Sequence, residues 1–232
     1  MKLCVIPARG GSKRIPRKNI KPFCGKPMLA YSIEAARQSG CFDLIIVSTD
    51  DDEIAELAKM LGAEVPFIRP KALSDDFAGT VPVIAHAVDF FEQKGIVFRH
   101  VCCLYATAPF VQPEKIREGM QLVEQNGIDY AFSVTRYGYP IQRALRVTEA
   151  GRIDMFAPEL ADVRSQDLEE AWHDAGQFYW GSATAWLEER QIFSPASLPV
   201  ELPHYRVQDI DTPDDWRRAE LMYQVLTGSN FD

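Results

Sequence analysis

Short β-branched or otherwise apolar runs alternate along the chain with longer stretches of helical period. That alternation predicts a mostly parallel sheet covered by helices on both faces. Strand-like runs fall near residues 2–7, 43–49, 100–105 and 130–136, and helical periodicity near 28–39, 51–61, 80–94, 113–125 and 213–227. In the first helical stretch Leu29, Ile33 and Ala36 share one stripe, and in the last Trp216, Ala219, Met222, Tyr223 and Leu226 do the same, which marks them as core. The alternation breaks between about 137 and 208, where strand-like pieces at 142–147, 177–183 and 199–208 and a helix near 166–172 are expected. This segment reads as an insertion or arm on a single α/β domain spanning 1–232. No repeat, low-complexity tract or Gly/Ser/Pro-rich linker marks a second domain.

Composition narrows the picture. With 232 residues and 47% apolar content, the chain is long enough to bury roughly 70–75% of its unfolded surface without disulfides or a structural metal. Cys4, Cys24, Cys41, Cys102 and Cys103 are odd in number, form no CxxC pair and mostly sit in apolar runs, as expected of a reducing, cytoplasmic setting. The chain opens directly on Lys2-Leu3-Cys4-Val5-Ile6, with no signal-peptide pattern and no bilayer-spanning apolar run. A net charge of −8 argues against nucleic acid or an anionic membrane as partner.

Against that acidic background one stretch stands out. Pro7-Ala8-Arg9-Gly10-Gly11-Ser12-Lys13-Arg14-Ile15-Pro16-Arg17-Lys18-Asn19 follows the first strand, and residues 9–21 hold six basic side chains and no acidic one. Open α/β sheets bind ligands at the carboxyl ends of their strands. A Gly-Gly pair that lets backbone amides approach, set among flexible cations, is chemistry for a polyphosphate. The GxGxxG dinucleotide fingerprint is absent, and Gly25-Lys26 is followed by Pro27 rather than the Ser or Thr of a P-loop. A solvated basic turn or nucleic-acid patch is the competing reading. It fits poorly, because a nucleic-acid patch would carry interleaved aromatics.

The stretch Ala8-Arg9-Gly10-Gly11-Ser12-Lys13, with Lys18-Asn19 after it, resembles the signature of the cytidylyltransferases that activate acylneuraminates. Ser48-Thr49-Asp50, Arg69-Pro70 with Ser74-Asp75-Asp76, Thr107-Ala108-Pro109 and Asp209-Ile210-Asp211-Thr212 follow in that family's order, covering nearly the whole chain. The resemblance implies a Rossmann-like nucleotidyltransferase fold of the glycosyltransferase-A type, CTP and an acidic nonulosonic sugar as substrates, and a homodimer whose insertion borders the partner's sugar pocket. It further implies that Pro7, Ala8, Arg9, Gly10, Gly11, Ser12, Lys18, Asn19, Arg69, Ala78 and Thr80 bind the nucleotide, with Arg9, Lys13, Lys18, Asp209 and Asp211 catalytic. The sialic acid enzymes carry Gln-Pro-Thr-Ser-Pro where this chain has Tyr105 to Pro109, and Asn-Gly where it has Ala175-Gly176. Both departures fall where the sugar should lie.

Three local arguments stand beside the resemblance. In Asp209-Ile210-Asp211 a strand period puts both carboxylates on one face and sends Ile210 inward. Such a pair beside a phosphate loop suits Mg²⁺, with Mn²⁺ able to substitute, since Mg²⁺ takes one or two carboxylates and completes its shell with water and phosphate oxygens. Thr212-Pro213-Asp214-Asp215 reads instead as a helix cap. Asp50 is either a third ligand or part of the acidic start of the helix that follows. An acidic sugar needs a cation, and Arg164 is the leading choice because guanidinium binds carboxylate through two parallel hydrogen bonds; a structural pair with Asp167 or Glu169 is its alternative. Tyr105, Gln142, Arg143, Gln166, His173 and Tyr179 complete the expected sugar pocket. His86, His100 and His204 read as core or surface residues rather than general bases, while His173 beside Asp174 is placed to orient a hydroxyl. Two alternatives stand for the whole chain: the same enzyme class acting on sialic, legionaminic or deoxyoctulosonic acid, and a noncatalytic nucleotide-binding protein that keeps the loop for sensing.

Overall fold

The computed structural model describes residues 1–75 and 78–228, so Asp76 of the Ser74-Asp75-Asp76 motif lies outside the described residues. Strand β1 (Lys2–Pro7) is followed by a loop, by the small antiparallel ribbon of β2 (Pro22–Phe23) and β3 (Lys26–Pro27), and by helix α1 (Met28–Ser39). Next come β4 (Leu44–Ser48), α2 (Asp52–Met60), α3 (Thr80–Glu92), β5 (His100–Leu104), α4 (Pro113–Val123) and β6 (Tyr130–Arg136), where the periodicity predicts them. An arm carrying the hairpin β7 (Leu145–Val147) and β8 (Ile153–Met155) leads to β9 (Trp172–Ser182), α5 (Ala183–Leu187), β10 (Ser197–Glu201) and α6 (Pro213–Thr227).

The central sheet runs in the order β10-β6-β9-β5-β1-β4. Strand β1 is parallel to β4 and β5, β6 is parallel to β10, and β9 lies antiparallel between β5 and β6. Alternation along each strand divides the core in two. Cys4, Ile6, Cys102, Leu104 and Trp180 face α1, α2 and α4, while Leu3, Val5, Val101, Cys103 and Tyr179 face α3 and α5. Close helix-on-sheet approach depends on two glycines: a Cβ on Gly119 would lie 2.7 Å from the Trp180 ring, and one on Gly181 2.5 Å from the Trp186 indole. All five cysteines are free thiols.

Helix α6 brings Trp216 and Ala219 against Phe23, Met28 and Phe110 in a third cluster. Its start is fixed by the reciprocal cap of Thr212 and Asp215 with Pro213 in the first turn. The packing of α6 on the β2–β3 ribbon carries the preceding stretch, residues 207–211, over the end of the sheet.

The segment expected as an insertion at about 137–208 divides in two. Residues 172–182 and 197–201 are full members of the central sheet, and only about 137–171 project from it. The helix expected near 166–172 is not present. A single 3-10 turn at Ser165–Asp167 is followed by extended chain, because Trp172 pairs with Arg136 at the start of β9. The expected strand at 142–147 is a 3-10 turn, Ile141–Arg143, followed by β7, and that at 199–208 ends at Glu201, before Pro203, which lacks the N–H a strand ladder needs. The Asp209-Ile210-Asp211 stretch is likewise no strand, although Ile210 is buried as expected.

Candidate active site

The loop after β1 is built around its contact with the start of α2. The Gly10 amide donates to the Asp50 carboxylate at 3.0 Å, and a Cβ on Gly10 would sit 2.6 Å from an Asp51 carboxylate oxygen, so only glycine fits. Gly11 faces open space. Arg17, held at φ +56, bonds Asp51 and Glu53, and its guanidinium draws the Asp51 carboxyl below the ordinary carboxylate range. Asp51 also caps α2 through the Ile54 amide. Arg17 is therefore a strut of the loop. Lys21 is spent elsewhere, 4.4 Å above the Trp216 ring. The cations of the loop that line the cleft are Arg9, Lys13, Arg14 and Lys18.

Those four line a cleft of about 530 Å³ together with Pro7, Ser12, Asn19, Arg69, Ala78, Thr80, Tyr105 and Asp211. Ala8 is buried beneath it. The Asn19 amide donates to the Arg9 carbonyl at 2.9 Å, and Arg9 reaches the Asp75 carbonyl at 2.8 Å, so the loop folds back along the cleft wall. Arg69 is only 4% exposed; burial lowers its pKa first, Asp50 at 4.0 Å opposes that, and Arg9 adds to the lowering. Its Nε has no hydrogen-bond partner among the described residues, although it is buried at the cleft. Asp50, left open between two roles by the sequence, holds the Gly10 amide and faces Arg69, outside the cap of α2.

Asp211 joins the cleft from the far end of the chain. Lys18 Nζ donates to the Ile210 carbonyl at 2.7 Å and lies 3.3 Å from the Asp211 carboxylate, which Arg14 also reaches at 2.8 Å. Asp209 faces a second hollow of about 430 Å³, lined also by Tyr105, His173, Asp174, Gly176, Tyr179, His204 and Arg218. Its carboxyl is raised above the ordinary range by local desolvation and then by the charge of Asp211, although the residue as a whole is exposed. Two carboxylates that repel one another beside a cationic cleft fit a hard divalent ion. Among the described residues no group of three or more His, Cys, Asp or Glu is disposed to hold a metal, so the protein would provide two ligands and leave the rest to water and substrate oxygens.

Within the second hollow, strand β9 shifts register against β6 between Phe132 and Val134, and Gly176 adopts φ +61. This irregularity lets the Asp174 carboxylate accept the Gly176 amide at 2.8 Å and the Tyr179 hydroxyl on its other oxygen. His173 Nδ1 contacts the Asp174 carbonyl at 2.8 Å, and its ring packs edge-on against Tyr137.

Of the expected sugar residues, the structure brings Tyr105, His173 and Tyr179 to this hollow. Gln142, Arg143, Arg164 and Gln166 lie on the projecting arm and line neither hollow of their own chain. There Gln142 bonds the Glu169 carbonyl, Arg143 the Val163 carbonyl, and Arg164 the Asp167 carboxylate at 2.7 Å, the structural alternative weighed for it. Sequence reasoning missed Asp174, His204 and Arg218 as pocket residues. Asp174 carried a signal in its place beside His173, whereas Arg218 reads in sequence as one more solvated charge on α6.

A family model described as cytidylyltransferase matches residues 3–207. The chain is 47% identical over 229 residues to a pseudaminic acid cytidylyltransferase of Campylobacter jejuni, covering 99% of each. It is 33% identical over 230 residues to a CMP-N,N'-diacetyllegionaminic acid synthase of Legionella pneumophila, covering 96% of each. Among solved structures it is similar to CMP:2-keto-3-deoxy-manno-octonic acid synthetase complexed with CTP. That likeness, at TM-score 0.70 and 17% identity over 97% of this chain and 99% of the other, concerns the fold.

Proposed function

The chain belongs to the cytidylyltransferase family, and from that premise we propose that it transfers CMP from CTP to the anomeric hydroxyl of pseudaminic acid, releasing pyrophosphate. The observation that carries this reading is the meeting of a cation-lined, nucleotide-sized cleft and a polar hollow at Tyr105, with Asp209 and Asp211 at the seam. The near half identity to a pseudaminic acid enzyme over the full length supports that sugar over sialic acid, in line with the departures at Tyr105–Pro109 and Ala175-Gly176. The setting we propose is the cytoplasm; among the described residues no helix is long and apolar enough to cross a membrane.

In this reading Arg9, Lys13, Arg14 and Lys18 hold the phosphate oxygens, Asn19 fixes the loop, and Arg69 closes the nucleoside side. Asp209 and Asp211 would hold Mg²⁺, which when bound would supply positive charge at the phosphate oxygens. When a triphosphate enters, Arg14 and Lys18, which contact the Asp211 carboxylate, can turn to the phosphate oxygens instead. Catalysis is then largely positional and electrostatic, with the acceptor hydroxyl in line with the α-phosphorus and no covalent intermediate.

The arm supports a homodimer. Tyr139, Val147, Ile153 and Phe156 are each more than half exposed, apolar surface of the kind that marks a contact. Across such an interface Gln142, Arg143, Arg164 and Gln166 would border the partner's hollow. The deciding experiment offers CTP, Mg²⁺ and a panel of nonulosonic acids, with mass spectrometry of the products. CMP-pseudaminic acid as the dominant product is expected, and a different preferred sugar or no CMP-sugar overturns the assignment.

A further inference from the structure

The hollow that would take an acidic sugar is itself lined by two carboxylates, Asp174 and Asp209. An anion entering between like charges needs a counter-charge. In a nonulosonic acid the carboxylate is borne by the anomeric carbon, next to the hydroxyl that attacks phosphorus. Its counter-charge therefore belongs at the seam with the nucleotide cleft, beside Asp209 and Tyr105, and not on a distant flank. Among the described residues one Arg or Lys lines this hollow, Arg218.

The alternatives are committed elsewhere. Arg9, Lys13, Arg14 and Lys18 line the nucleotide cleft, and Arg164 is bonded to Asp167 on the arm. His173 Nδ1 lies 2.8 Å from the Asp174 carbonyl. A carbonyl only accepts, so Nδ1 carries the proton, and Nε2 of the neutral ring is an acceptor that a carboxylate avoids. His204 is a cation only when protonated.

Helix α6 sets Arg218 apart from its neighbours. Trp216 and Ala219 turn into the third core cluster, and Arg217 reaches Glu220 at 3.8 Å on the same helix. Asp215, one turn before Arg218, already accepts from Thr212, from the Asp211 amide and from Gln208. Arg218 is exposed and makes no hydrogen bond or ion pair among the described residues. A guanidinium is always charged and offers five N–H donors, so its binding capacity is turned to the hollow.

We infer that Arg218 binds the carboxylate of the acceptor sugar, within the same chain that holds the nucleotide. The inference rests on the transfer reaction proposed above. Guanidinium grips carboxylate through two parallel hydrogen bonds. Because the carboxylate and the attacking hydroxyl share one carbon, holding the first orients the second toward the α-phosphorus. Arg218 thus selects acidic sugars and aims the nucleophile, while Arg164, the leading choice from sequence, stays with Asp167 on the arm.

The test uses the full chain with CTP, Mg²⁺ and the nonulosonic acid that the wild type converts, with the C1 carboxamide of that sugar as competitor. In the wild type the inhibition constant of the amide should lie about 10-fold or more above the KM of the acid, the scale of a charged hydrogen bond. Arg218→Ala should raise the acid KM and leave the amide constant in place, so that the two come within about three-fold, with the CTP KM unchanged. Arg218→Lys keeps the charge without the fork and should restore part of the gap. Arg164→Ala, acting through the arm, should move both values together and keep the gap. A gap that survives Arg218→Ala, that is absent from the wild type, or that closes in Arg164→Ala instead overturns the inference. An equal rise in the CTP KM of Arg218→Ala, the mark of a structural role, overturns it too. A wild type that transfers CMP to no nonulosonic acid overturns the proposed function together with this inference, whereas an active wild type with an unaltered Arg218→Ala overturns the inference alone.

Discussion

The cleft and the hollow are assembled in opposite ways. The cleft draws its four ligand-facing cations from one loop, residues 9–18, and borrows Arg69 and Asp211 from elsewhere. The hollow draws Tyr105 from the end of β5, Asp174 and Tyr179 from β9, His204 from the turn after β10, Asp209 from the crossing stretch, and Arg218 from α6. A triphosphate is a dense charge that a contiguous run of cations and amides can grip, so its site is nearly a local property of sequence. A sugar must be recognised hydroxyl by hydroxyl, from several directions. Residues scattered over separate elements can be exchanged singly without disturbing the sheet, which explains why relatives acting on different sugars share this fold.

Substitutions that sever the seam between the two regions should have the largest effects. Asp209→Asn removes half of the proposed Mg²⁺ pair, and pyrophosphate release should fall by roughly 1,000-fold, the scale of several kcal/mol of lost charge stabilisation. The same change should raise the thermal midpoint rather than lower it. A carboxyl whose folded pKa exceeds its unfolded value disfavours the folded state once ionised, so its stability contribution is lost as pH rises through that window, and the amide relieves it. For the same reason the affinity of the wild type for Mg²⁺ should begin to fall on the acid side at a higher pH than an unperturbed aspartate would dictate. A lowered midpoint would show that Asp209 serves the fold instead.

Lys18→Ala follows, with turnover expected to drop by about 3–4 kcal/mol of transition-state stabilisation. Lys18 also ties the loop to Ile210 and Asp211, so the loss should reach both substrates, and wild-type turnover would remove Lys18 from the mechanism. Arg218→Ala should act on the hollow alone, raising sugar KM by about 10-fold or more through loss of a charged hydrogen bond, with CTP KM unchanged. Arg164→Ala should do likewise only where the arm reaches a partner, so the two variants compared in dimer and diluted monomer sharpen the boundary between own-chain and partner contributions. An equal rise in both KM values would refute a sugar-specific role.

The smallest expected effect lies within the loop. Gly10→Ala drives a methyl into Asp51 and should cost about 1–3 kcal/mol in chemical denaturation. Gly11→Ala enters open space and should stay within about 0.5 kcal/mol. Equal effects would mean that the Gly-Gly pair acts through chain flexibility and not through close approach.

The sequence by itself determined the alternation of strands and helices, the core stripes of α1 and α6, and the loop whose charge stands out against an acidic chain. Each is a property of neighbouring residues, set by side-chain period and by local charge density. Its errors lie where distant pairing overrode local pattern: Trp172 was drawn into a strand by Arg136 rather than into a helix, and of the pieces assigned to an insertion one lies in β9, which joins β5 to β6 in the middle of the sheet, and another in β10 at its edge. Tertiary structure alone decided that Arg17 is a strut while Lys18 reaches Asp211, 193 residues away. It also decided that Asp174 accepts from the Tyr179 hydroxyl and that Arg218 faces a hollow. A carboxylate or guanidinium looks alike on any polar face of a sequence. What it does depends on which remote group the fold brings within 3 to 4 Å, the range in which a charge or a hydrogen bond acts strongly.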